Sequence, residues 1–177
     1  VFQNTSYGPL KRALMKVDME ETFHLRHGEV WMRRLAKAGG EARELLQRSV
    51  DWMFPMTIEW FGLPDDRKRH SGQLDYRLKG LTNDQLRQVW MASTVPLSEQ
   101  LGLDVPAHFD AEKGEYVLDY PFPCQYDPAE KRWAFDEGEI TWETVFDRWK
   151  GRGPMNEIYV EAVQRSRGHV TRWLNSK

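Results

Sequence analysis

Glu20-Glu21-Thr22-Phe23-His24-Leu25-Arg26-His27 lies in the middle of a helical pattern that begins after Ser6-Tyr7-Gly8-Pro9 and runs unbroken to Gly39-Gly40. Leu10, Leu14, Val17, Glu21, His24, Trp31 and Leu35 fall near one side of it at mostly three- and four-residue steps. Pro9 suits the first helical turn, where its missing N–H is no loss. A helix of about 30 residues is roughly 45 Å long at 1.5 Å per residue, beyond the usual globular length and typical of helix bundles. A second helix is expected from about Glu41 to Trp60, with Leu45, Leu46, Val50, Met53 and Phe54 as its apolar stripe and Pro55 kinking it. With only Gly39-Gly40 between them, the two helices should form an antiparallel hairpin.

Beyond that hairpin, Gly62 to Gly72 has no periodicity and carries the basic run Arg67-Lys68-Arg69-His70, so it reads as an exposed loop. A short helical piece is expected around Leu74 to Lys79. Thr82-Asn83-Asp84-Gln85 matches a capping box and should start a helix from Asn83 to about Leu101. The period then changes. His108 to Leu118 alternates around Lys113-Gly114, which predicts a β-hairpin. Tyr120 to Phe135, with Pro121, Pro123 and Pro128, reads as extended or looped, and two final helices are expected over Thr141–Lys150 and Met155–Asn175. These readings divide the chain into a helical part at 1–103, a hairpin and loop region at 104–140 and C-terminal helices at 141–177, forming one compact unit.

Composition bounds the function. The 177 residues carry 25 basic and 27 acidic side chains, a net charge of −2, which excludes a basic nucleic-acid footprint. Apolar residues make up 40% with no run of about 18, so neither nucleic acid nor membrane is an expected partner. The single cysteine, Cys124, excludes an intrachain disulfide framework, and with no leader-like segment a cytoplasmic location is expected. The chain opens at Val1 inside what reads as the tail of an element, as a fragment or a processed chain would. Eight tryptophans are spread over the helices and the late loop, as anchors of helix contacts and subunit interfaces would be.

Neither a phosphate-binding loop, a dinucleotide glycine fingerprint nor a nucleophile elbow is present. What remains is Glu21-x-x-His24, two metal-capable side chains sharing one helix face. In carboxylate-bridged dinuclear bundles, two such motifs combine with one carboxylate from each of two further helices. A single match is weak by itself, since a surface Glu–His pair gives the same pattern. Its place on the apolar stripe points to burial, however, and a buried carboxylate needs a partner. His27, about 120° around the helix from Glu21, is expected to be a supporting or surface residue, and Glu20 and Glu29 to be solvated. Phe23, Met53, Phe54 and Met56 could line a channel, though plain core is the simpler reading. No second E-x-x-H occurs in the chain.

The run Thr5-Ser6-Tyr7-Gly8-Pro9 followed by Glu20-Glu21-Thr22-Phe23-His24-Leu25-Arg26 resembles the fourth bundle helix of the oxygenase (catalytic) subunits of ring 1,2-phenylacetyl-CoA epoxidases. The match continues through Leu81 to Gln88, Thr94-Val95-Pro96, Leu101-Gly102, His108-Phe109-Asp110, Gly151-Arg152-Gly153 and Asn156. This resemblance implies a mainly α, ferritin-like helical bundle represented by its later helices, with a small β-hairpin insertion and C-terminal helices. It implies a di-iron centre that activates O₂ and epoxidises the aromatic ring of phenylacetyl-CoA, with Glu21 and His24 as metal ligands; the family's remaining ligands precede Val1. Lys79 and Asn83 match positions that contact coenzyme A, which suits a lysine beside a helix start whose free N–H groups favour anions. The implied partners are a flavin and iron–sulfur reductase that draws electrons from NADPH, a small accessory subunit, and a related non-catalytic helical subunit. Such a fragment is expected to be inactive alone. Two rivals remain: a non-catalytic structural or acyl-CoA-docking subunit of such a complex, and an oxygenase for a related thioester such as benzoyl-CoA. A helical interaction module with a chance E-x-x-H fits the ordered series of matches least.

Overall fold

The computed structural model describes residues 5–68, 72–151, 161, 162, 164 and 165. Its elements run α1 (Gly8–Ala38), α2 (Gly40–Trp60), α3 (Asn83–Leu101), β1 (Ala107–Asp110), β2 (Glu115–Leu118), β3 (Cys124–Asp127), β4 (Arg132–Glu139) and α4 (Trp142–Lys150). The fold is mainly α with two small sheets, in keeping with the ferritin-like helical bundle that the resemblance implies. It divides into two compact units, Val1–Gly138 and Glu139–Lys177.

In the first unit, the core forms where α2, α3 and the first hairpin meet. Phe54 and Ile58 of α2 pack with Met91 and Val95 of α3 and Ala107 of β1, each at most 5% exposed. Burying Phe54, Ile58, Met91 and Val95 contributes about 1.5–3 kcal/mol each. Tyr120, Cys124 and Trp133 form a second cluster, joined to the first through Leu118 and Phe122. The α2 helix continues through Pro55 to Trp60.

The α3 helix begins as its sequence predicts. Thr82 Oγ1 accepts the Gln85 N–H at 3.2 Å while Gln85 Oε1 accepts the Thr82 N–H at 2.9 Å, a complete capping box. At the other end, Gly102 takes φ +63° while the Leu103 N–H reaches Ser98 O at 2.9 Å, which satisfies carbonyls the helix would leave open. The left-handed φ is what calls for glycine here, since the Arg43 guanidinium that a Cβ would meet is the movable end of an exposed side chain.

Two glutamines lock the helices to their neighbours. Gln47 of α2 donates to Asp104 O at 2.8 Å and accepts its N–H at 2.9 Å; Gln88 of α3 does the same with Tyr116 at 2.8 and 2.9 Å. The β1–β2 hairpin pairs Ala107 with Leu118 through Asp110 with Glu115, antiparallel, around Lys113-Gly114 as expected. Asp110 Oδ1 accepts the N–H groups of Glu112 and Lys113, and these bonds hold its carboxyl below the usual range.

Two local expectations differ from the structure. Leu74 to Lys79 is a chain of turns, with Tyr76 N–H on Gly72 O at 2.8 Å and Arg77 at φ +52°; a left-handed residue there ends any helix after one turn. The proline-rich stretch after Tyr120 contains β3 and β4, a second two-stranded sheet; its prolines fall outside those strands, at 121, 123 and 128, where no ladder hydrogen bond is lost.

In the second unit, α4 is capped by Thr141, whose side chain accepts the Thr144 N–H at 3.3 Å, and buries Trp142 and Val145. Residues 161, 162, 164 and 165 are helical, and the rest of the expected helix over Met155–Asn175 lies outside the described residues.

Candidate metal-ligand pair and anion site

Three residues of rise and about 300° of turn bring Glu21 and His24 onto neighbouring positions of α1. His24 Nδ1 lies 3.5 Å from Glu21 Oε1. Two donors each about 2.1 Å from one ion stand at such a separation, and a carboxylate with a neutral imidazole is a donor set suited to non-haem iron. The pair therefore fits a metal as part of a larger ligand set. Among the described residues, no three His, Cys, Asp or Glu side chains converge to complete one.

The expected burial of this stripe does not occur. The Glu21 and His24 side chains are 66% and 68% exposed, and every residue from Met15 to Gly28 is exposed. This stretch of α1 is apolar enough to be covered, with Val17 and Trp31 of the stripe and Phe23 and Leu25 outside it all in the open, but no described element buries Met15 to Gly28. His27 sets its ring edge-on to Trp31 at 6.3 Å, while Glu29 pairs with Arg33 at 2.7 Å. Glu20 and Phe23 border a shallow groove beside His24. Phe54 is core and Met56 packs on the second cluster, in keeping with the simpler reading, whereas Phe23 and Met53 are exposed and belong to no core, because no described element covers their faces.

Lys79 and Asn83 come together at the start of α3. Lys79 Nζ donates to Asn83 Oδ1, and Asn83 Nδ2 donates to Leu63 O at 2.8 Å. Two of the N–H groups expected to be free for an anion are taken: Asn83 N–H donates to Asp65 Oδ1 at 3.2 Å and Gln85 N–H to Thr82 Oγ1 at 3.2 Å. A protein carboxylate already occupies the positive end of the helix, so attraction for an anion here comes from side-chain cations.

Those cations are crowded. Burial lowers the Lys79 pKa, repulsion from Lys68 and Arg87 adds to this, and Asp65 opposes it. Lys68 belongs to the basic run expected to be solvated; it is half-buried, and Arg69 and His70 lie outside the described residues. Beneath them Arg87, 4% exposed, donates to Ile58 O at 3.3 Å, to Gly62 O and to Asp84, and stands over the Phe122 ring at 5.0 Å. Sequence reading passed over Arg87 and Asp65. The three-residue Asp84–Arg87 spacing in a first helical turn was a usable sign of the former, whereas nothing in a loop aspartate foretells that it caps a helix 18 residues on.

The depressed pKa of Lys79 gives a pH-dependent expectation. Its protonation is disfavoured in the folded chain, so that cost is present at neutral pH and fades as pH rises through the folded pKa toward 10.5. The stability difference between Lys79→Met and the parent, read by urea denaturation, should therefore move in favour of the parent as pH rises from 7 to 10.5. A difference constant across that range would contradict the assignment.

A mainly helical chain with a carboxylate–imidazole pair on one long helix is, in architecture and donor chemistry, a helical protein with two side chains that could hold a metal. Comparison with known proteins gives the family. Residues 1–132 match the model of the phenylacetic acid catabolic protein family, and the chain is a member of that family. It is similar to the first-lettered (A) component of 1,2-phenylacetyl-CoA epoxidase from Escherichia coli (strain K12), at 32% identity over 166 residues, covering 92% of this chain and 48% of the relative. The chain thus spans about half the length of the curated relative it matches.

Proposed function

We propose that this chain is part of the oxygenase subunit of a multicomponent di-iron monooxygenase that epoxidises the aromatic ring of phenylacetyl-CoA. The observation that carries this reading is the Glu21–His24 pair at 3.5 Å, in a chain of this family and with this relative. Glu21 and His24 would hold iron, one through an anionic oxygen and the other through a neutral nitrogen, with further ligands supplied from outside these residues. When bound, the dinuclear centre supplies the activation of O₂, using electrons that a separate flavin and iron–sulfur reductase draws from NADPH.

The chain's own residues bind and orient. Lys79, backed by the charge of Lys68, attracts the phosphates of coenzyme A, and Asn83 fixes the ammonium group from below. Arg87 stays behind them as a buried brace. In this reading the assembly is completed by a small accessory subunit together with a related non-catalytic helical one. A reducing, cytoplasmic setting suits a single cysteine, Cys124, whose thiol is buried. No described helix is long and apolar enough to cross a membrane.

One observation favours a second reading, a thioester-docking subunit without metal: the Lys79–Asn83 contact forms within this chain, whereas among the described residues the ligand set does not. Turnover under ¹⁸O₂ separates the two. The complete subunit with its partners and reductase should place one ¹⁸O atom on the ring of phenylacetyl-CoA and little on benzoyl-CoA. Thioester binding with no incorporation would establish the docking reading, and preference for benzoyl-CoA would move the substrate.

A further inference from the structure

Asn83 holds two opposite charges. Its side-chain oxygen accepts a hydrogen bond from the Lys79 ammonium, and its main-chain N–H donates to Asp65 Oδ1 at 3.2 Å. A cation and a carboxylate are thereby fixed on one residue, at the first position of a 19-residue helix. Neither is free to drift. Asn83 is 5% exposed and its Nδ2 is tied to Leu63 O at 2.8 Å, while the Asp65 N–H is anchored on Asp84 Oδ2 at 2.8 Å.

The two carboxylates at this end of α3 differ in their neighbours. Asp84 is paired with the Arg87 guanidinium. Asp65, by contrast, has no lysine or arginine in ion-pair contact among the described residues; its partners are the Asn83 N–H and, through space, the charge of Lys79. It is exposed, so an anion arriving from water at Lys79 also meets the Asp65 carboxylate. Capping the helix does not require this charge, because a neutral serine, threonine or asparagine oxygen accepts a helix N–H as well.

A phosphate at this point is attracted by Lys79, with Lys68 and Arg87 nearby, and repelled by Asp65. Both effects grow with the charge of the ligand. A phosphodiester group carries one negative charge, and a phosphomonoester about 1.5 to 2 at neutral pH. We propose that Asp65 is a specificity-determining residue of this site, a resident carboxylate that penalises a ligand in proportion to the negative charge it brings to Lys79, and so a phosphomonoester more than a phosphodiester. This rests on the reading of Lys79 and Asn83 as the coenzyme A contact and adds to it what sets the charge preference there.

Isothermal titration calorimetry of the complete protein at pH 7, with coenzyme A and with dephospho-coenzyme A, which lacks the phosphomonoester, tests it. Asp65→Asn keeps an oxygen for the Asn83 N–H and removes the charge. It should tighten coenzyme A by about fivefold and dephospho-coenzyme A by about twofold, the scale of one exposed charge interaction. High salt should erase both gains, which a change of loop structure would not do. Asp65→Ser, with a neutral oxygen of its own, takes its place should the asparagine variant misfold. An equal gain for the two ligands, or a gain that survives high salt, would overturn the proposal. Lys79→Met separates it from the reading beneath it. Coenzyme A affinity unchanged in that variant would overturn the thioester site itself, whereas a loss there with Asp65→Asn silent would overturn this inference alone.

Discussion

Replacing His24 or Glu21 by alanine in the complete protein is expected to lower iron affinity by at least about 100-fold and to abolish oxygen incorporation, while thioester affinity stays within about twofold. Loss of a group that merely orients a metal ligand costs about 10–100-fold, and removal of a ligand itself costs no less. The structure makes the complementary half of this expectation equally definite. In the 177-residue chain, where both side chains are about two-thirds exposed and neither belongs to the core, each variant should unfold within about 0.5 kcal/mol of the parent. Iron content and turnover of the complete protein, with a urea melt of the 177-residue chain, check the separation. Full iron in either variant would remove that residue from the ligand set, and a large stability loss would mean that the site is structural.

Arg87→Ala carries the opposite signature. Its guanidinium is almost wholly buried and supplies hydrogen bonds to Ile58 O and Gly62 O, at the end of α2, and to Asp84 in the first turn of α3. It also stands over Phe122, which joins the two apolar clusters. Truncation strands two carbonyls and one carboxylate, and breaking a buried ion pair of this kind costs about 3–5 kcal/mol; with Asp84 half in water, about 3 kcal/mol is expected. Arg87→Lys should recover only part, because an ammonium cannot reproduce the fork. Urea denaturation followed by circular dichroism reads both. A loss below about 1 kcal/mol for the alanine variant would show that the brace is not what holds Lys79 and Asn83 in place.

The helical part of the fold was legible in the sequence, and for identifiable reasons. Thr82 and Gln85 announce α3 because a capping box is a local interaction, and Lys113-Gly114 announces a hairpin because the turn demands a positive φ at glycine, which Gly114 adopts at +70°. Elements held by distant partners were harder to see. The strands β3 and β4 are obscured by flanking prolines, and the loop from Leu74 to Lys79 is shaped by contacts with Gly72 and Ser6 that periodicity does not reveal. At the site, the spacing of Glu21 and His24 gave their proximity correctly, because three residues on a helix allow little else. It could not give their environment. An apolar stripe says only that a face is suited to burial, and the cover for this one is not among the described elements. Asn83 stands at a helix start as read, but its N–H is not free, because Asp65 reaches back from a loop to take it.

Iron content, measured by inductively coupled plasma mass spectrometry on the complete oxygenase with its partner and on the 177-residue chain alone, tests the central claim most directly. About two irons per complete molecule and none in the isolated chain are expected, because Glu21 and His24 make up only part of a ligand set. No iron in the complete molecule, with the coenzyme A thioester still bound, would contradict the claim and leave Glu21 and His24 as an ordinary surface pair.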